Sequence, residues 1–317
     1  MRLLARAAVS VVVWLAAANA TAQTLPTFVT DAAPRLSIGL VEGDQVYLLS
    51  GIGDAVRLTD GRLVIANCGS SELRYYDLNG RHLLSVGQRG QGPGEFQSPR
   101  RLFVTAGDSV GAYDGFPAYR ISIFDPTGKL ARDVRVPPRV DVLGRLNDGT
   151  FVGRIIGEPP RQPGVQRRPI TFYRLNANGE SLDSLRGLLG NEVSVGASGP
   201  ARTLRMARVG VMAMLPDRLV FGDQSEAAYV EFGPDLRQLR KTTTITRPEA
   251  VTPEIERQWE ATKDVVMAEG GTLPVLATSF ASHMPAYRDL VAGTDARLWV
   301  QDPFRPGVYP LVWTAYQ

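Results

Sequence analysis

Apolar and polar residues alternate along short runs of this chain, and the runs recur as copies of one unit. ELRYYD (Glu72–Asp77) and RISIFD (Arg120–Asp125) place apolar side chains at every second position, the period of a strand with two different faces. Each run closes on an aromatic and an Asp, followed by a tight turn with Gly: DLNGR from Asp77 and DPTGK from Asp125. Similar turns follow as NANGE from Asn176 and GPDLR from Gly233. Upstream of the turns lie strand openings of one kind: GRLVIAN (Gly61), DSVGAYD (Asp108), GTFVGR (Gly149), DRLVFGD (Asp217) and ARLWVQD (Ala296). From opening to turn end the distance is 19 residues for Arg62–Arg81, 20 for Ser109–Lys129 and 19 for Arg218–Arg237. A single such unit cannot bury both faces, so regular repetition predicts sheets packed around an axis, an all-β propeller.

The connection VGQRGQGPGEFQSPRRLFV (Val86–Val104) joins the first two units. Its glycines permit a tight turn, and Phe96 is placed to plug between neighbouring sheets. It is no phosphate loop, because Lys-Ser/Thr is missing and a strand-like RRLFV follows where a helix would be needed. The third unit carries a Pro-rich basic insertion, Glu158–Pro169, and the fourth is followed by Thr252–Met284. There Thr252 suits an N-cap, Pro253 the first helical position, and Glu254 and Glu256 the first turn. Ile255, Trp259 and Val266 share one face and Gly270-Gly271 ends the run, which predicts one helix over Pro253–Glu269. Such a helix would cover a mouth of the central channel or lie between two sheets. The fifth unit stops without a closing turn, and Arg35–Gly53 contains strands suited to completing a late sheet. The expectation is an imperfectly closed ring with an exposed edge near Pro310–Gln317, unless Arg35–Gly53 pairs with Val308–Tyr316.

The order GxxGxGPGEFxxP (Gly87–Pro99), ANCGSSELRYYDLNGR (Ala66–Arg81) and a late LWV (Leu298–Val300) before PLVWTAY resembles the exported six-bladed β-propellers related to NHL repeats. The resemblance spans most of the chain and is strongest from Asp54 to Val134. It implies a six-bladed type, incomplete here at the C-terminal side, and it carries no general set of catalytic residues.

Arg2 and Arg6 precede the apolar run Ala7–Ala18, and Ala20-Thr21-Ala22 is a small-x-small site. This predicts a signal peptide over residues 1–22, cleavage after Ala22 and a propeller domain over 23–317, exported to the periplasm or beyond the cell. The run is shorter than the roughly 20 apolar residues of a membrane span, so no transmembrane segment is expected after cleavage. Cleavage removes two Arg and no acid, so the net charge falls from +3 to +1 and gives no sign of nucleic-acid binding. Cys68 is the only cysteine, which excludes an internal disulfide and reads as a packed thiol.

Candidate chemistry is sparse. His82 and His283 are the only histidines, and neither has a ligand partner at metal spacing. Asp77 and Asp125 read as turn caps. Arg57, Arg101, Arg145, Arg208 and Arg288 fall near the expected innermost strand of each unit, at 5, 8, 5, 10 and 9 residues before the second residue of the next strand opening (Arg62, Ser109, Thr150, Arg218 and Arg297). Guanidiniums around a channel mouth attract carboxylates, phosphates or sulfated sugars. Arg outnumbers Lys 32 to 3, so part of this pattern is composition. The reading is a binding or interaction module for a protein, an anionic small molecule or a glycan, with no cofactor. The alternative, a metal-assisted lyase or hydrolase acting on sugars, lactones or peptides, requires acids such as Asp54, Asp114, Asp223, Asp289 and Asp302 to converge.

Overall fold

The computed structural model describes residues 33–244, 248–268 (side chains to 261), 279–293, 295–303 and 313–316. The expected signal peptide, the Val266 side chain, Gly270-Gly271 and Val308–Val312 lie outside the described residues. Residues 1–37 form one unit and Ile38–Gln317 another. No described helix is long and apolar enough to cross a membrane.

The second unit is built of five antiparallel sheets. The first holds β1 (Ile52–Arg57), β2 (Leu63–Asn67), β3 (Glu72–Tyr76) and β4 (His82–Val86). The second holds β5 (Pro99–Val104), β6 (Val110–Asp114), β7 (Arg120–Phe124) and β8 (Leu130–Arg135). The third holds β9 (Asp141–Arg145), β10 (Phe151–Ile156), β11 (Gly164–Leu175), β12 (Ser181–Val195) and the short β13 (Arg202–Thr203). The fourth holds β14 (Val211–Leu215), β15 (Arg218–Gly222), β16 (Ala228–Phe232) and β17 (Gln238–Thr243). The fifth holds β18 (Asp289–Ala292), β19 (Leu298–Gln301) and β20 (Trp313–Tyr316). Helix α1 spans Pro253–Ala268, and Thr252 caps it, its Oγ1 accepting from Ile255 N at 3.3 Å. All five strand openings become the second strand of a sheet.

The alternation in each strand decides which neighbour it meets. Leu73 and Tyr75 face Leu102, Val110 and Phe124 across the first seam. Ile121 and Ile123 point the other way, toward Val142, Phe151 and Leu175. Val152, Ile170 and Phe172 meet Leu219, Phe221 and Phe232, while Val220 and Tyr229 meet Leu290, Leu298 and Val300. The turns hold each sheet's outer hairpin: Asp77 Oδ1 accepts from Asn79 N and Arg81 N at 2.9 and 2.8 Å, and Asp125 Oδ1 from Thr127 N and Lys129 N at 2.9 and 3.1 Å. Phe96 is fully buried in the first seam. A Cβ on Gly87, whose φ is +86°, would stand 2.6 Å from its ring, so this position accepts only glycine.

Two expectations are corrected. Among the described residues the propeller has five sheets, not six. The end of the Pro-rich insertion, Gly164–Pro169, becomes the start of the 12-residue β11, which pairs with the 15-residue β12, and the described part of the fourth-unit insertion holds a helix, so among the described residues neither supplies a further sheet. Nor does the segment before β1 complete a late sheet. A 3-10 turn at Gln45–Tyr47 lies against the free face of the first sheet, where the Arg74 guanidinium donates to Gln45 O and Leu48 O at 2.8 and 3.0 Å and Tyr76 Oη donates to Val46 O at 2.6 Å. Those polar side chains on β3 draw the segment flat onto the sheet in place of edge pairing. Among the described residues four core clusters fill the four seams from first to fifth sheet, and none joins the fifth to the first. On the fifth sheet β20 is an edge strand, and Val291 and Trp313 are exposed on the face away from the fourth sheet.

Candidate functional site

The innermost strands β1, β5, β9, β14 and β18 run the same way along the axis, so the molecule has a leading end, where they begin, and a trailing end, where they turn into the second strands. Polar side chains at the ends of second strands fasten the backbone at the leading end. Asn67 Oδ1 accepts from Ser50 N at 2.8 Å, Asp114 carboxylate oxygens accept from Gln97 N and Ser98 N at 2.7 and 2.9 Å, and Gln224 Oε1 accepts from Val209 N at 2.7 Å.

Four of these innermost strands or their leads enclose a cavity of about 330 Å³. Arg101 on β5, Leu143 on β9, Met212 and Met214 on β14 and Asp289 on β18 line it, with Arg154 from β10. Arg154 is committed: its Nε lies 3.2 Å from Asp141 Oδ2 on the neighbouring strand, and its Nη1 donates to Met212 Sδ at 3.0 Å. Arg101 is half-buried, and among the described residues its guanidinium has no hydrogen bond or ion pair. Asp289 is exposed, and among the described residues its carboxylate accepts only from Leu290 N, at 2.8 Å through Oδ1, and forms no ion pair.

The five arginines read from the sequence divide between the two ends. Arg57 and Arg145 terminate β1 and β9 at the trailing end. Arg101, Arg208 and Arg288 lie at the leading end, early in β5 and just ahead of β14 and β18. The spacing carries this division. An Arg 5 residues before the next opening sits at the hairpin, and one 8 to 10 residues before it sits at the start of the strand. Of the five, Arg101 reaches the cavity.

Arg208 has a partner of its own. Its Nη2 lies 2.6 Å from Oε1 of Glu192, a carboxylate only 1% exposed. Burial pushes the Glu192 carboxyl up, but the donors of Arg208 outweigh it and hold the group below the usual carboxylate range. The same bond raises Arg208. Beside them Arg167 donates to Gly190 O at 2.6 Å and Asp223 O at 2.7 Å, and burial lowers its pKa. This is a structural clamp between β11, β12 and the lead into β14.

The acids do not converge. Asp54 Oδ2 accepts from Leu102 N at 2.9 Å, Asp114 is fully buried on its two backbone donors, and Asp223 Oδ1 accepts from Ser225 N at 2.9 Å. Asp302 follows β19. Among the described residues no three His, Cys, Asp or Glu side chains gather as metal ligands. His82 is half-buried and His283 exposed, and they bond to Ser85 and Ser282. The Cys68 thiol donates to Pro99 O at 2.9 Å. In the Gly-rich connection Glu95 gathers the turn, its Oε2 accepting from Gly92 N and its Oε1 from Gln88 Nε2, both at 2.8 Å.

The helical insertion is moored at the leading end. Arg205 lies over the ring of Trp259, 4.6 Å from its centroid, and bonds to Glu260, while Ala281 N donates to Arg205 O at 2.9 Å. Val251 N donates to Ser282 O at 3.0 Å and Met284 N to Glu249 O at 2.7 Å. These bonds tie the insertion to the leads into β14 and β18. Sequence reading missed Arg154, Met212 and Met214. The available signal was the pairing of Arg154 opposite Asp141, an opposite-charge pair across the β9–β10 hairpin.

No family model matches the chain, and no curated protein matches it either. Among solved structures, a Bacteroides fragilis protein described as exported is similar at 13% identity, over 89% of this chain and 75% of its own, with a TM-score of 0.51. Virginiamycin B lyase of Staphylococcus aureus is similar at 10% identity over 84% of this chain and 70% of its own, with a TM-score of 0.40. AztD of Citrobacter koseri is similar at 14% identity over 65% of this chain and 50% of its own, with a TM-score of 0.39. The last two likenesses are too loose to carry an argument. The first supports the architecture alone: this chain has a β-propeller fold of five sheets.

Proposed function

We propose that the protein is an exported binding propeller that takes a small anion with an apolar tail into its central cavity. The observation that carries this reading is Arg101, a half-buried guanidinium in a cavity of about 330 Å³ with no partner among the described residues. A cation held partly out of water and unpaired attracts a carboxylate, phosphate or sulfate group. Leu143 and Met214 offer the tail an apolar, adaptable wall. The volume lies within the range of small-molecule sites, about 300–1,000 Å³. Export belongs to the same proposal, with cleavage after Ala22 leaving residues 23–317 in the periplasm or outside the cell, and so does kinship with NHL-type propellers. Calorimetric titration with hexanoate tests the binding. The wild type should bind, binding should weaken with added salt, and Arg101→Ala should abolish it. Equal binding by both proteins would overturn the reading.

A further inference from the structure

The cavity holds an uncompensated charge of each sign. Arg154 is neutralised by Asp141, which leaves Arg101 as the free cation and Asp289 as the free anion. Arg101 stands on the second sheet and Asp289 on the fifth, which are not neighbours in the sheet order, and no ion pair joins them. Both groups are therefore available to a ligand, and one ligand satisfying both must carry separated charges. In an α-amino acid the ammonium and carboxylate share one carbon. A dipeptide, whose two charged ends stand about 7 Å apart when extended, separates them and serves as the probe.

We infer that the central cavity binds a zwitterion with an apolar side chain, its carboxylate on Arg101, its ammonium on Asp289 and its side chain against Leu143 and Met214. This rests on the anion reading of the same cavity and adds to it the opposite pole. The Asp289 carboxylate keeps Oδ2 for a ligand, because Leu290 N takes only Oδ1. The carboxyl end engages a planar fork of donors, which suits Arg101.

The experiment is calorimetric titration with L-alanyl-L-leucine, propionyl-L-leucine and L-alanyl-L-leucinamide. The second lacks only the ammonium and the third only the carboxylate. Alanyl-leucine should bind at least about tenfold more tightly than either, the scale of a hydrogen bond to a charged group. Asp289→Asn retains a carbonyl for Leu290 N, so it should fold normally, and it should bind alanyl-leucine no better than propionyl-leucine. If propionyl-leucine binds as tightly as alanyl-leucine and both need Arg101, the zwitterion inference falls and the anion reading stands. If none of the three binds in an Arg101-dependent way, both fall. A melting temperature of Asp289→Asn matching the wild type excludes misfolding as the cause of lost binding. If that variant melts lower, Asp289→Ser replaces it and the same loss of preference is required.

Discussion

Removing the Phe96 ring should cost the protein about 3–5 kcal/mol of stability. The side chain is fully buried in the seam between the first and second sheets, its ring centroid 5.9 Å from that of Phe124. An aromatic residue buries about 150–250 Å², worth roughly 4–6 kcal/mol at about 25 cal/mol per Å². Alanine retains part of that area, so the transfer loss is about 3 kcal/mol, and the cavity left beneath the turn adds the rest. For a chain of this size each kcal/mol moves the midpoint by about 2–4 °C, so Phe96→Ala should melt roughly 10 °C lower. Gly87 supplies an internal control. A Cβ there would lie 2.6 Å from the Phe96 ring and requires φ of +86°. Gly87→Ala therefore carries a clash and a backbone strain, and Phe96→Ala removes the clash alone. In the Phe96→Ala background, Gly87→Ala should retain only the backbone part, about 1 kcal/mol. Thermal melts of the two single variants and the double variant give the coupling. Strict additivity, or an unchanged midpoint for Phe96→Ala, would refute the packing argument.

Three other expectations follow from the leading end. Glu192 has its carboxyl held below the ordinary range by Arg208. Its stabilising contribution is therefore complete above the unfolded value, near 4.3, and is lost as pH falls through the lower folded value. Glu192→Gln should flatten the acid limb of a stability-against-pH curve, whereas Arg208→Ala should cost about 3–5 kcal/mol at pH 7 by leaving a buried carboxylate unpaired. Asp114→Asn replaces one of two acceptors facing Gln97 N and Ser98 N with a donor, so denaturant unfolding should show a loss of about 1–3 kcal/mol. Trp259→Ala removes the stack on Arg205, worth about 0.5–2 kcal/mol. Limited proteolysis within the insertion should accelerate while the global melt barely moves.

Strand positions were legible in the chain because their signals are local. Period-two alternation in RISIFD and the Asp-to-backbone bonds of DLNGR act within a few residues, and each appears in the fold where the pattern put it. Helix α1 was legible for the same reason, since Thr252 and Pro253 fix its start without reference to the rest of the molecule. The sheet count was not, because a sequence unit does not announce how its two faces are covered. Arg74 and Tyr76 look like ordinary alternating residues, yet they fasten the preceding segment onto the free face of the first sheet. The site was half legible. Arg101 stood among the candidate ligand-binding residues and Asp289 only among the acids a metal-assisted alternative would need, and which residues face one cavity depends on how the sheets tilt about the axis. Met212 and Met214 carried no sign of a site, because they also pack on the seam between the third and fourth sheets, as apolar residues of an innermost strand ordinarily do.

The most direct test is a crystal structure of the protein grown with alanyl-leucine. The expected result is five sheets, the first and fifth without a sixth between them, and ligand density between Arg101 and Asp289. A sixth sheet in the seam, or a ligand bound away from Arg101 with the cavity empty, would overturn the binding-propeller reading.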